Sequence, residues 1–206
     1  WPATVHVVGN DSLRFHAVYW PAFLISAGIT PPERVFAHGW WTVEGQKMSK
    51  SLHNVVDPFD LVDKFGLDQV RYFLLREVPF GSDGNFSETA LIHRINSDLA
   101  NDLGNLAQRV FSMIHRNCEA ALPAPSTYID SDNALLDHAH KLLPQIRDSM
   151  EQQASHEALE KLWALVRAAN AYVDHQAPWS LKKTNPARMN TVLYVLAESL
   201  RHIAIL

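Results

Sequence analysis

The stretch Lys47-Met48-Ser49-Lys50-Ser51 carries two lysines separated by two small or flexible residues. Ammonium groups at that spacing can bracket a triphosphate, while serine hydroxyls and loop amides add hydrogen bonds where charge moves as pyrophosphate leaves. For any generic Lys-x-x-Lys pair the plain alternative is a solvated basic surface loop. A second group lies on a long helical stretch, where Asn101, Asn105 and Arg109 recur every four residues. Helical geometry puts them in one stripe, away from the seam of Leu99, Leu103, Leu106 and Val110. Asparagine offers both a donor and an acceptor, and arginine offers a planar donor fork. Both can read the edges of unpaired loop bases, although a solvated helix face is the simpler reading. Trp179 follows Gln176-Ala177-Pro178 at a helix exit, where an indole either stacks on an unpaired base or plugs a core. Lys182, Lys183 and Arg188 are nearby candidates for phosphate contacts.

Composition narrows the field. Eighteen basic residues against 22 acidic ones give a formal charge of -4 and a pI near 6.3, so any RNA contact must be local rather than a global basic surface. One cysteine, Cys118, excludes an internal disulfide and a Cys-x-x-Cys zinc knuckle, so no metal site and no zinc are expected in this stretch. A lone cysteine fits a reducing, cytoplasmic compartment. Apolar runs such as Ala22 to Ile25 fall far short of the roughly 20 residues that a membrane span needs. No membrane role is expected. The opening at Trp1 leads directly into a buried-strand pattern, which reads as a fragment of a longer chain.

The elements that must position these residues follow from periodicity. An apolar strand at Val5 to Val8, a helix from Leu13 to Ala27 closed by Gly28, and a strand at Arg34 to Ala37 read as an α/β unit. A hairpin at Trp41 to Gly45 leads into the lysine loop, and helices follow at Pro58 to Phe65 and Leu67 to Val78. Pro79 and the cluster Gly81-Ser82-Asp83-Gly84-Asn85 mark a boundary, so residues 1–85 form one domain. From residue 86 to 206 the apolar period is helical. It predicts one long helix, straight or bent, through Leu91, Ile95, Leu99, Leu103, Leu106, Val110 and Met113, and further helices at Ala134 to Met150, His156 to Gln176 and from Arg188 onward.

The pentapeptide at Lys47 to Ser51, with His38-Gly39 upstream and Gly9-Asn10-Asp11 ahead of Leu13 to Ala22, resembles the methionyl-tRNA synthetases among the class I aminoacyl-tRNA synthetases. The resemblance runs through nearly the whole chain. It implies an α/β remnant of a Rossmann-type catalytic domain over residues 1–85, followed by an all-α helix-bundle anticodon-binding domain over residues 86–206. It also implies an enzyme that joins methionine to tRNA(Met) with ATP and Mg²⁺. By position, Gly9 and Asp11 would approach the ATP ribose and His38 and Gly39 the adenine. Lys47, Met48, Ser49, Lys50 and Ser51 would form the phosphate loop, and His16 and Ser12 would line the methionine pocket. Asn101, Asn105, Arg109 and Trp179 would read the CAU anticodon. Read alone, His16 is more simply a satisfied core histidine, and Asp11 could be a cap for the helix that follows it. The family's His-Ile-Gly-His signature and zinc-bearing insertion are not in these residues, so the chain alone is expected to be inactive. Three positions depart from the family pattern: Asn10 stands for lysine, Ser12 for isoleucine and His53 for glycine. Ser12 makes the pocket wall smaller and more polar, and the Cβ of His53 resists positive φ, so the loop exit is expected to take another path.

Overall fold

The computed structural model describes residues 1 and 3–206, with the backbone alone at Lys50. The chain divides into two compact units, Trp1–Leu91 and Ile92–Leu206.

In the first unit, β1 (His6–Gly9) and β2 (Val35–His38) pair in parallel, from His6 opposite Val35 to Gly9 opposite His38. Parallel neighbours need a crossover connection. Here it is a helical run that changes pitch: a 3₁₀ turn at Asn10–Ser12, a π turn at Phe15–Tyr19, then α1 (Trp20–Ser26). Gly28 ends it at φ +71°, a left-handed position that glycine takes without a Cβ clash. The second sheet is built from β3 (Trp41–Val43), β4 (Gln46–Lys47) and β5 (Gly84–Phe86), with β3 in the centre. Glu44 and Gly45 turn the hairpin at φ +48° and +79°, as a two-residue hairpin turn with both centres at positive φ requires. The Gly45 amide donates to the Asn85 side chain at 2.7 Å. The glycine-rich punctuation around residue 84 thus supplies a strand. Asp57 caps α2 (Pro58–Phe65) by accepting from the Phe59 amide at 2.8 Å, and α3 (Leu67–Arg76) follows after Gly66. Leu61, Val70, Tyr72, Phe73 and Phe86 are buried, whereas Phe15, Val18, Phe23 and Ile25 on the crossover are exposed.

The second unit is helical. The segment from α4 (Glu88–Arg94) runs through a π-helix at Ile95–Gly104 into α5 (Asn105–Asn117), so the long predicted helix is present but is not α throughout. Next come α6 (Asp130–Glu151), α7 (Ser155–Gln176), α8 (Pro178–Thr184) and α9 (Pro186–Ile205). Leu142, Leu165, Val166, Leu193 and Leu196 are fully buried where α6, α7 and α9 pack together. Cys118 donates to Asn190 at 3.8 Å, and burial pushes its thiol up. Among the described residues no helix is long and apolar enough to cross a membrane.

Candidate functional site

Within the first unit, the ends of the two parallel strands bring several expected residues together. Gly9 lies opposite His38 in register, and Asp11, in the 3₁₀ turn that begins just after Gly9, folds back over it. A Cβ on Gly9 would stand 2.6 Å from Asp11 Oδ1, so any larger residue there would make that carboxylate shift. Gly39 is held just as closely, since a Cβ there would meet the Ser82 carbonyl oxygen at 2.2 Å. His38 Nδ1 lies 2.9 Å from the Gly39 carbonyl. A carbonyl only accepts, so Nδ1 carries the proton and a neutral ring keeps its lone pair on Nε2. The same logic applies to His16, whose Nδ1 donates to the Ser12 carbonyl at 2.9 Å. His16 lines a cleft of about 430 Å³ with His6, Phe15, Tyr19, Trp20 and Phe23. Ser12 meets that cleft through its carbonyl's hold on His16, and its side chain is not among the lining groups.

The lysine loop leaves β4 and is fixed from below by its own neighbours. Met48 enters an apolar cavity of about 180 Å³ with Trp41, Val56, Leu61, Val70 and Phe86. Asn54 clamps the loop twice: it accepts from the Ser49 amide at 2.8 Å and donates to the Lys47 carbonyl at 3.1 Å. The Ser49 and Ser51 hydroxyls lie 2.7 Å apart. The ammonium of Lys47 sits 5.3 Å above the Trp40 ring, a cation–π contact that holds it at the sheet edge. The side chain of Lys50 lies outside the described residues. His53 adopts φ +51°, so the loop exit keeps the left-handed turn that its Cβ was expected to prevent. Histidine tolerates that region better than branched residues do, and the Asn54 clamp adjoining it fixes the path. Asn54 carries no residue-type signal of its own. Only the folded loop reveals its reach back over Lys47.

Within the second unit, the asparagine–arginine stripe and the tryptophan meet. The Arg109 guanidinium lies 5.6 Å from the Trp179 ring centroid and forms an ion pair with Asp174. Trp179 is half exposed, and Asn101 and Asn105 are exposed. Asn101 belongs to the π segment and Arg109 to the α segment. Four residues step to opposite sides in the two pitches, which keeps the three side chains near one line. Asn170 ties this segment to α7 by donating to the Asp102 carbonyl at 3.0 Å.

A left-handed Ala177, at φ +43°, turns the chain from α7 into α8 and carries Trp179 to its place. Pro178 therefore both ends one helix and opens the next. The corner is secured from behind. Arg188 donates to Gln176 Oε1 at 2.6 Å and to both carboxylate oxygens of Asp132, at 2.5 and 2.7 Å. The Tyr172 hydroxyl donates to Asp132 at 2.5 Å. Burial alone would push the Asp132 carboxyl up. Hydrogen bonds from Arg188, Tyr172 and the Ile129 amide outweigh it and hold the carboxyl below the ordinary carboxylate range. Arg188 is thus not the phosphate contact expected from its position. A fully buried carboxylate needs a charge partner, and the arginine turns inward to supply it with only 14% of its side chain exposed. Lys182 and Lys183 remain exposed. Asp174 and the Asp132–Arg188 pair escaped sequence reasoning, because their partners are 65 and 56 residues away.

Comparison with known proteins bears on both units. Residues 2–111 match the model of the class I tRNA synthetases (M), and residues 122–205 match that of the anticodon binding domain of methionyl tRNA ligase. The methionine–tRNA ligase of Brucella suis biovar 1 (strain 1330) is 57% identical over 206 residues, covering all of this chain and 40% of that protein. The corresponding ligase of Mycobacterium tuberculosis (strain ATCC 25618 / H37Rv) is 52% identical over 210 residues, again 100% of this chain and 40% of the relative. A solved structure of Mycobacterium tuberculosis methionyl-tRNA synthetase in complex with methionyl-adenylate superposes with a TM-score of 0.96 at 52% identity, over 100% of this chain and 41% of that one. The chain spans about 40% of the length of the curated relatives that it matches.

Proposed function

The chain belongs to the class I tRNA synthetases (M), and we propose that a protein carrying it activates methionine with ATP and transfers the methionyl group to tRNA(Met) in the cytoplasm. The methionine carboxylate attacks the α-phosphate in line and pyrophosphate leaves; a terminal ribose hydroxyl of the tRNA then attacks the acyl carbonyl of the adenylate, taking the methionyl group as AMP leaves. That chemistry needs positioning and charge stabilisation rather than a covalent enzyme nucleophile. Mg²⁺ enters with ATP as part of the substrate. In this reading the first unit serves the nucleotide and the amino acid. Gly9 and Asp11 meet the ribose, His38 and Gly39 the adenine, and Lys47 and Lys50 the phosphates, with Met48, Ser49 and Ser51 shaping the loop. His16 presents its ring to methionine, and Ser12 orients that ring. The second unit reads the anticodon.

The observation that carries the RNA half is the Arg109 guanidinium set over the exposed ring of Trp179, in line with Asn105 and Asn101. An indole face tolerates any base, whereas donors and acceptors at its edge discriminate. Titration of the 206-residue chain with a CAU anticodon stem-loop and with scrambled loops tests the assignment. Trp179→Ala should weaken every loop on the order of tenfold or more, since stacking is worth roughly 1–3 kcal/mol per base. Arg109→Ala should erode the preference for CAU. Equal binding of CAU and scrambled loops by the unmodified chain would remove the anticodon role.

A further inference from the structure

The sequence offers no cysteine-based metal site, but the folded second unit brings together three side chains of other ligating types. His202 and Glu198 are four residues apart on α9 and share one face, and His140 comes from α6, which packs against α9. One ligand atom from each of the three lies within 4.8 Å of the others. The two imidazoles meet edge to face, with centroids 5.0 Å apart, and His202 Nε2 stands 3.4 Å from Glu198 Oε1. Glu198 and His202 are about one-fifth exposed and His140 is exposed, so the cluster is accessible without an opening motion.

We propose that His140, Glu198 and His202 form a divalent transition-metal site that fastens the C-terminal helix α9 to α6. Two imidazoles and a carboxylate are the ligand set of a borderline cation such as Zn²⁺, Co²⁺ or Ni²⁺, not of Mg²⁺ or Ca²⁺, which prefer all-oxygen shells. Tetrahedral coordination at about 2.0–2.1 Å per ligand asks neighbouring ligand atoms to stand roughly 3.3 Å apart. The His202–Glu198 pair already meets that separation, and rotation of the exposed His140 ring closes the third position. Solvent fills the fourth. Arg201 is the internal competitor. Its guanidinium donates to Glu198 Oε2 at 2.8 Å and to Oε1 at 2.5 Å, and its Nη2 stands 3.2 Å from His202 Nε2. It holds the carboxylate in place, yet its positive charge sits where the ion would come. An incoming ion must displace it from the shared oxygen.

The site is tested by Zn²⁺ calorimetry on the 206-residue chain, with Co²⁺ absorption as a report on nitrogen ligation. One equivalent is expected to bind with a dissociation constant in the micromolar range and to raise the melting temperature of the chain, reversibly on chelation. His140→Ala and His202→Ala should each abolish that event, Glu198→Gln should weaken it tenfold or more, and Arg201→Gln should tighten it several-fold. All four side chains lie at least partly in solvent, and circular dichroism will establish that each variant remains folded. Stoichiometric binding that survives in His140→Ala or His202→Ala overturns the proposal. So does the lack of a one-equivalent event in the unmodified chain at tens of micromolar zinc, or an Arg201→Gln chain that binds no more tightly.

Discussion

Asn54 holds the lysine loop through two hydrogen bonds that no other side chain duplicates among those described. Asn54→Ala in a full-length synthetase carrying these residues should slow methionine-dependent ATP–pyrophosphate exchange about tenfold, because a loop that wanders by an ångström loses its alignment with the developing charge. Lys50→Ala should cost on the order of a hundredfold, near 2.7 kcal/mol, the usual weight of one preorganised donor in a transition state. Methionine binding should stay within about twofold in both variants. Wild-type exchange in Asn54→Ala beside a crippled Lys50→Ala would show that the loop is held by something other than this clamp. The pair also marks what a linear reading can see. The lysines and serines announce themselves because their chemistry is concentrated in five residues. Asn54 and Asp174 look like ordinary polar positions until the fold carries them to Lys47 and Arg109.

The buried Asp132–Arg188 pair joins α6 to α9, and through Gln176 it anchors the end of α7. Asp132→Asn leaves a buried guanidinium without its counter-charge and should destabilise the second unit by about 3 kcal/mol in urea. The acid dependence follows from the direction of the shift. Asp132 is held below the ordinary carboxylate range, so its contribution is complete above about pH 4 and is lost as pH falls through the lower, folded value. The stability gap between the unmodified chain and Asp132→Asn should therefore narrow below about pH 4 and stay constant above it. A gap independent of pH down to pH 2 would mean that the carboxylate charge is not what stabilises the corner. At this scale the amphipathic helices were legible, because one apolar stripe per helix determines each of α5, α6, α7 and α9. The strand β5 was not. Gly84 and Asn85 have low strand propensity, and the pairing partner β3 lies about forty residues earlier. Nor was α8 foreseen, since Pro178 gives the same stop signal whether or not another helix follows. The changes of pitch at Phe15–Tyr19 and Ile95–Gly104 leave the spacing of apolar residues nearly unaltered, so periodicity alone could not reveal them.

Taken whole, the chain pairs a second unit with a closed apolar core and a first unit whose strand-and-helix crossover leaves Phe15, Val18, Phe23 and Ile25 in solvent. Local stability follows buried contacts. In the 206-residue chain, amide hydrogen exchange should be slowest in α7 and α9, and residues 6–26 should exchange at least a hundredfold faster. Uniform protection across both units would refute that division. The overall class of each unit was legible from the switch in apolar period near residue 86, whereas the meeting of Arg109 with Trp179 required the corner at Ala177. The π segment at Ile95–Gly104 carries a further consequence for how this gene tolerates change in length. A π turn holds about one residue more than an α turn needs, and the ten residues of Ile95–Gly104 make roughly two such turns, so deletion of two codons between Asn101 and Asn105 would let the segment relax into continuous α-helix. The core positions Leu106, Val110 and Ile114 would keep their places, yet Asn101 would swing about 130° around the axis, away from Arg109. Such a deletion variant would remain folded and lose only the first member of the stripe, whereas the same deletion within α7 would dislodge every core residue beyond it.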